Sequence, residues 1–171
     1  CAATGESLEA RVARVREEKR LDTETLLLLH DFCRYLLIAS SRPGGLPANL
    51  QGIWNPLMDP PWKSDWHLNI NLSMHYWPAG FWNLPELAEP LTTLAEMALP
   101  RSAETARDML GAEGWFLPNC TDAWGYCAPF RPADCGLYVA GGAWLLQDAL
   151  APWRYTRDPA LRDRLLPLLR Q

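Results

Sequence analysis

Residues 46–77, LPANLQGIWNPLMDPPWKSDWHLNINLSMHYW, cannot form one regular element. Prolines at 47, 56, 60 and 61 remove backbone donors, clash with a preceding helical turn and bar a central strand. So long an irregular stretch needs a scaffold built elsewhere, and stretches of this kind tend to carry function. Its composition indicates which function. The run holds four tryptophans, four asparagines and a glutamine. Indole faces stack on the C–H faces of a pyranose, while amides donate to and accept from its hydroxyls. A plain core has no use for so many amides, since each one buried without a partner costs about 1–3 kcal/mol. The run reads as a carbohydrate-binding surface.

The scaffold around it reads as helical, and strand-like alternation is absent throughout. Leu8, Val12 and Val15 recur at helical spacing in a charged stretch and predict a surface helix with a narrow apolar stripe. Asp22 or Thr23 caps a second helix to about residue 39, with Glu24 in its first turn. Leu27, His30, Phe32, Leu36 and Leu37 make that helix apolar over most of its girth, so it is expected to be well buried. Proline and glycine at 43–47 end it. A helix of about three turns is predicted from Asn69, stopped by Pro78 and Gly80. Asn83, Pro85 and Glu86 then read as a cap, a first-turn proline and a capping-box glutamate. Their helix carries Leu87, Leu91, Leu94 and Met97 and is expected to end before Pro100. Ser102 starts a short helix closed by Gly111. Residues 114–138 read as loop. A helix is predicted over 143–155, kinked or frayed by Pro152, and Asp158-Pro159 starts the last one.

At 171 residues, 49% apolar and 21% charged, the chain has the composition of an ordinary globular domain. Its net charge of −4 and scattered arginines exclude the basic stripe that nucleic acid requires. No apolar stretch approaches the roughly 20 residues that span a bilayer. Cys1 has two readings, a lipidated lipoprotein terminus or the edge of a longer chain. Cys33, Cys120, Cys127 and Cys135 complete a set of five without a C-x-x-C pair, so no metal site is expected. One bridge among Cys120, Cys127 and Cys135 is conceivable, with buried free thiols as the plainer expectation.

RYLLIASSRPGGLPANLQGIWN (34–55), PPW (60–62), HLNINLSMHYWPA (67–79) and NLPELAEPL (83–91) stand in that order. They are followed by GW (114–115), TDAWG (121–125), GGAWL (141–145) and RYTRD (154–158). This series resembles the catalytic domain of glycoside hydrolase family 95, the inverting 1,2-α-L-fucosidases and their α-L-galactosidase relatives. The resemblance implies an all-α fold, an (α/α)6 barrel of which this chain would be the N-terminal part. Twelve helices of about 11 residues with loops of about 5 need about 200 residues or more, so a truncated barrel of six to eight helices is expected. Residues 1–21 resemble the helical linker ahead of such a barrel, and residues 22–171 the first part of the catalytic domain. Export to the periplasm or the extracellular space is also implied, although the sequence itself sets no compartment and no oligomeric state.

The same resemblance assigns chemistry. An inverting glycosidase needs an acid for the leaving oxygen and a base for water, about 6.5–9.5 Å apart. In this family the base role falls to an asparagine of an N-x-N pair, made basic by a distant aspartate. Asn71 corresponds to the water activator, Asn69 to its partner and His67 to a sugar-binding histidine. The general-acid glutamate and the activating aspartate match no position here. On a regular helix Asn69 and Asn71 would point about 200° apart, so a helix beginning near Asn71 suits them better. No cofactor is implied, and the partner is a fucosylated oligosaccharide or glycan.

Trp54, Trp62 and Trp124 are the candidate stacking platforms, with Gln51 and Asp122 as candidate hydroxyl partners. Asp122 serves equally well as a turn cap, and Asn69 and Asn71 as helix or loop braces. Trp77, Trp82, Trp144 and Trp153 are expected in the core. Glu86 and Glu89 read as helix-dipole residues, and Arg42 has no decided role. The glycosylation triplets at Asn71 and Asn119 fall in predicted interior segments. The sequence departs from the family at His75, where an asparagine is usual, and at Asp148, where a histidine is usual. Segment 117–122 also lacks the histidines expected there. An alternative remains for the chain alone: a carbohydrate-binding or purely structural half-barrel without catalysis.

Overall fold

A computed structural model describes residues 5–129 and 136–171. The readings placed on Cys1 and Cys135 fall outside the described residues. The fold is all-α, with six helices among them: α1 (Leu8–Glu18), α2 (Thr23–Ser40), α3 (Asn71–Phe81), α4 (Glu89–Leu110), α5 (Gly141–Thr156) and α6 (Pro159–Leu169). Two-residue strands β1 (Trp66–His67) and β2 (Cys120–Thr121) pair antiparallel, with His67 opposite Cys120. This small ladder is compatible with the absence of strand-like alternation in the sequence. Two residues are too few to show alternation, and only their partner defines them. Two compact units divide between Leu36 and Leu37.

In the first unit, α1 is capped by the Ser7 hydroxyl, which accepts from the Ala10 N–H at 3.2 Å. No α1 residue is buried, as a narrow stripe on a charged helix predicts. Arg14 grips Glu6 at 3.1 and 3.2 Å and Asp22 at 2.6 Å. Asp22 also accepts from the Thr25 N–H at 2.7 Å, the cap read from sequence. The Thr25 N–H and the Arg14 guanidinium hold the Asp22 carboxyl well below the usual carboxylate range. Burial of α2 does not hold. Leu26, Leu27, Leu28, Leu29, Phe32 and Tyr35 are exposed, and Leu37 is its one buried residue. An apolar girth shows what a helix could bury, and burial requires a facing element.

The second unit centres on α4. Leu91, Leu94, Ala95 and Ala98 are each 0% exposed and meet α5, α6 and the rest of a shared core. The predicted break at Pro100 does not occur, and α4 runs unbroken from Glu89 to Leu110. Pro100 lies on the exposed face, where carbonyls freed by the missing donor can turn to water. Ser102 donates to the Leu99 carbonyl at 3.0 Å and is itself a buried interior residue, not a helix start. Likewise α3 passes through Pro78 and Gly80 before ending at Phe81, and α5 passes through a buried Pro152. Asn83 is not a cap. Its φ is +56°, and Pro85–Ala88 form a 3-10 turn leading into α4. Gly111, at φ +61°, closes α4 as predicted, and Asp158 caps α6 by accepting from the Ala160 N–H at 2.9 Å.

Glu89 begins α4 and so suits the helix dipole, but it does more. It binds Arg164 of α6, while Arg164 also reaches Glu96 at 2.9 and 2.6 Å. Burial raises the Glu89 carboxyl, yet Arg164, the Gly44 N–H and Thr93 outweigh it and leave it below the usual range. Among the tryptophans expected in the core, Trp82, Trp144 and Trp153 are half-buried. Trp77 is 49% exposed and departs from that expectation. On α5, Asp148 is buried, and burial raises its carboxyl while Ser73 and Trp77 pull it the other way.

Candidate active site

The irregular run is braced by its own polar side chains. Asn49 accepts from the Gln51 N–H at 2.9 Å, and Asn55 from the Leu57 N–H at 2.8 Å. Gln51 donates to the Pro61 carbonyl at 3.2 Å and accepts from the Ser64 hydroxyl. Its amide is therefore committed to the loop and stands as a brace. Three of the amides that suggested sugar binding thus hold turns, in the manner of Asx caps. The loop ends in a 3-10 turn, Pro61–Ser64, where Trp62, Lys63 and Ser64 have φ of 55°, 62° and 52°.

A buried knot ties this loop to the helices. The Ser41 hydroxyl donates to the Leu87 carbonyl at 2.8 Å. Its single proton being used, the 2.7 Å contact with Tyr76 must have the Tyr76 hydroxyl as donor. That hydroxyl also accepts from the Ala48 N–H at 2.8 Å. Burial pushes Tyr76 up to about 12, so it stays protonated and keeps donating. Trp66 adds a bond from its ring N–H to the Pro47 carbonyl at 3.0 Å. The start of the run is thereby fixed to α3 and β1.

β1 then delivers the site. His67 is 8% exposed, with its Nδ1 2.5 Å from Asp65 Oδ1. The approach has the distance of a charge-assisted contact without the angle of a hydrogen bond. Trp62 stands edge-on to the His67 ring, centroids 6.0 Å apart and planes at 88°. Leu68 donates to the Asn119 carbonyl at 2.7 Å, extending the join between β1 and the β2 loop. Gly141 secures that loop from the other side. A Cβ there would lie 2.4 Å from the Leu117 carbonyl oxygen, so only glycine lets α5 approach.

Asn69 is exposed, and so is Asn71 at the first position of α3. The helix begins two residues after the predicted Asn69, at the start that suits both amides. Among the described residues no hydrogen bond ties either amide down. An open cleft of about 340 Å³ is lined by Lys63, Asp65, Cys120, Thr121, Asp122 and Tyr126. Asp122 therefore joins the neighbourhood of Asp65 and His67, whereas Asn69 and Asn71 are not among the lining residues of that cleft. Asp122 Oδ1 accepts from the N–H groups of Trp124 at 2.9 Å and Tyr126 at 3.1 Å. The turn-capping reading of Asp122 is what these bonds describe.

Trp62 is 64% and Trp124 76% exposed. Trp54, 45% exposed, lies close over Gly52, where an added Cβ would meet its ring at 2.6 Å. Sequence reasoning missed Asp65 and Cys120. Asp65 had a readable signal, since residues two apart in extended chain share a face. Cys120 had none, because only the ladder brings it opposite His67.

The pattern of the glycosyl hydrolase family 95 catalytic domain matches residues 2–171. The chain belongs to that family. It is 42% identical over 146 residues to "Probable alpha-fucosidase A" of Aspergillus niger, covering 84% of this chain and 18% of that protein. It is 42% identical over 159 residues to "Alpha-L-fucosidase 2" of Arabidopsis thaliana, covering 91% and 19%. "Probable alpha-fucosidase A" of Aspergillus oryzae is 38% identical over 109 residues, 63% of this chain and 15% of that protein. The chain thus spans less than a fifth of the length of these family 95 relatives. Among its described residues no helix is long and apolar enough to cross a membrane.

Proposed function

We propose that this family 95 chain is part of a glycosidase that hydrolyses terminal α-L-fucosides, or the related α-L-galactosides, with inversion. Its relatives are named as fucosidases, and its Asn71 amide stands exposed at the head of α3, four residues past the histidine held on β1. That placement carries the reading. In it, the Asn71 side-chain oxygen accepts a proton of the attacking water, and Asn69 orients the same water. A neutral amide is too weak a base alone, so a carboxylate from residues outside this chain must polarise it, and a carboxylic acid must protonate the leaving oxygen. His67, held by Asp65, offers its second ring nitrogen to a sugar hydroxyl. Trp62 and Trp124 supply the flat apolar faces.

The test is fucose release from 2′-fucosyllactose by the full-length enzyme, followed by proton NMR. The β-anomer is expected first, before mutarotation. The α-anomer appearing first, or no release from any α-L-fucoside or α-L-galactoside, would refute the proposal.

A further inference from the structure

Asp65, His67 and Cys120 place a carboxylate oxygen, an imidazole nitrogen and a thiol sulfur within 4.8 Å of one another. We propose that these three side chains form a binding site for a thiophilic divalent cation of the zinc type. The donor set is that of a three-ligand zinc centre, with one sulfur, one nitrogen and one oxygen. Bonds of about 2.0–2.3 Å set ligand edges of roughly 3.3–3.8 Å in a tetrahedron. Within a spread of 4.8 Å the widest edge would close by about 1 Å, while the 2.5 Å edge between His67 and Asp65 would open by about as much.

Three features make this more than chance proximity. The scaffold is rigid, since His67 and Cys120 are ladder partners and the Leu68 bond to Asn119 locks the register. The site is withdrawn from water, with the side chains of His67 9% and Asp65 16% exposed and Cys120 2% exposed. His67 Nδ1 and Asp65 Oδ1 face each other at 2.5 Å without hydrogen-bond alignment, so both atoms address one space, which widens by about 1 Å when an ion enters it. Asp65 and Cys120 also line the open cleft, so a fourth ligand such as water can reach the ion from there.

The other described thiol of this loop is excluded. Cys127 turns its sulfur to the Gly125 and Ala98 carbonyls at 2.9 and 3.6 Å. Burial pushes that thiol up to about 11. Cys33, Cys120 and Cys127 all keep their thiols, with no disulfide between Cys120 and Cys127. The sequence expectation of no metal rested on the missing C-x-x-C spacing. A site assembled across a ladder does not register in such spacing.

Cobalt substitutes for zinc and reports thiolate ligation by a charge-transfer band in the near ultraviolet. Titrating the reduced chain with cobalt(II) is expected to raise this band to saturation at one equivalent, and zinc is expected to abolish it. Cys120→Ser should eliminate the band and weaken zinc binding by about a hundredfold or more, beyond the loss typical of an outer-shell change. X-ray absorption of the zinc-loaded wild-type chain should show one sulfur among nitrogen and oxygen ligands, a readout that needs no variant to fold. No cobalt band, a band surviving in Cys120→Ser, or two or more sulfurs in the zinc shell would overturn the site.

Discussion

Helices α2 and α4 present the same chemistry to opposite effect. By sequence α2 is the more apolar, with four leucines in a row followed by Phe32 and Tyr35, and it buries one residue. α4 carries glutamates, arginines and two prolines, yet eight of its residues are buried. Composition sets what a helix can contribute. The neighbour on its face decides what it does contribute, because apolar area stabilises only when removed from water, at roughly 25 cal/mol per Å².

The strongest way to break this contrast is Leu94→Ala, a truncation at a position with 0% exposure. It should cost about 3 kcal/mol in urea-induced unfolding, through lost transfer energy and the cavity left behind. A loss under about 1 kcal/mol would show that the α4 face is far less tightly packed than described.

Asp148→Asn comes next. Asp148 is 7% exposed, and burial raises its carboxyl above the ordinary range against the opposing pull of Ser73 and Trp77. A carboxyl whose folded value is raised binds its proton more tightly in the folded state. Its contribution is therefore fully present at low pH and is lost as pH climbs from the ordinary carboxylate value through the raised one. The amide does not titrate, so the substitution should remove that slope and gain about 1 kcal/mol at neutral pH, read from melting temperatures across pH 3–8. An unchanged slope would mean that another group dominates.

The smallest effect belongs to α2. Phe32→Ser removes a large side chain that is 53% exposed and should shift stability by no more than about 0.5 kcal/mol in this chain. A loss several times larger would reveal a partner surface for α2 and erase the contrast.

The same distinction explains what could be read from the sequence. Signals that act within a few residues were legible: Asp22 and Asp158 as caps, and Gly111 as a closing left-handed residue. Pro78 and Pro100 misled because a proline breaks a helix only if its freed carbonyl has nowhere to turn, and that depends on the face it occupies. Asn83 misled because its amide looked like a cap while its backbone took a left-handed turn. The family pattern brought His67, Asn69, Asn71 and Asp122 into view together. It did not reveal that Gln51, Asn49 and Asn55 were committed to bracing the loop, since the pairing of one amide over another is decided by three-dimensional closure. Cys120 became visible only through its strand partner.

The turn at Trp62, Lys63 and Ser64 holds three successive side-chain-bearing residues at positive φ. Each such residue costs about 1–2 kcal/mol relative to the right-handed region, so this short arc works like a cocked spring beside an exposed indole. Whatever comes to rest on Trp62 either holds the spring or lets it go. Where a ligand's arrival on Trp62 shifts this arc, the affinity measured there will contain a backbone contribution that no inventory of touching atoms would disclose.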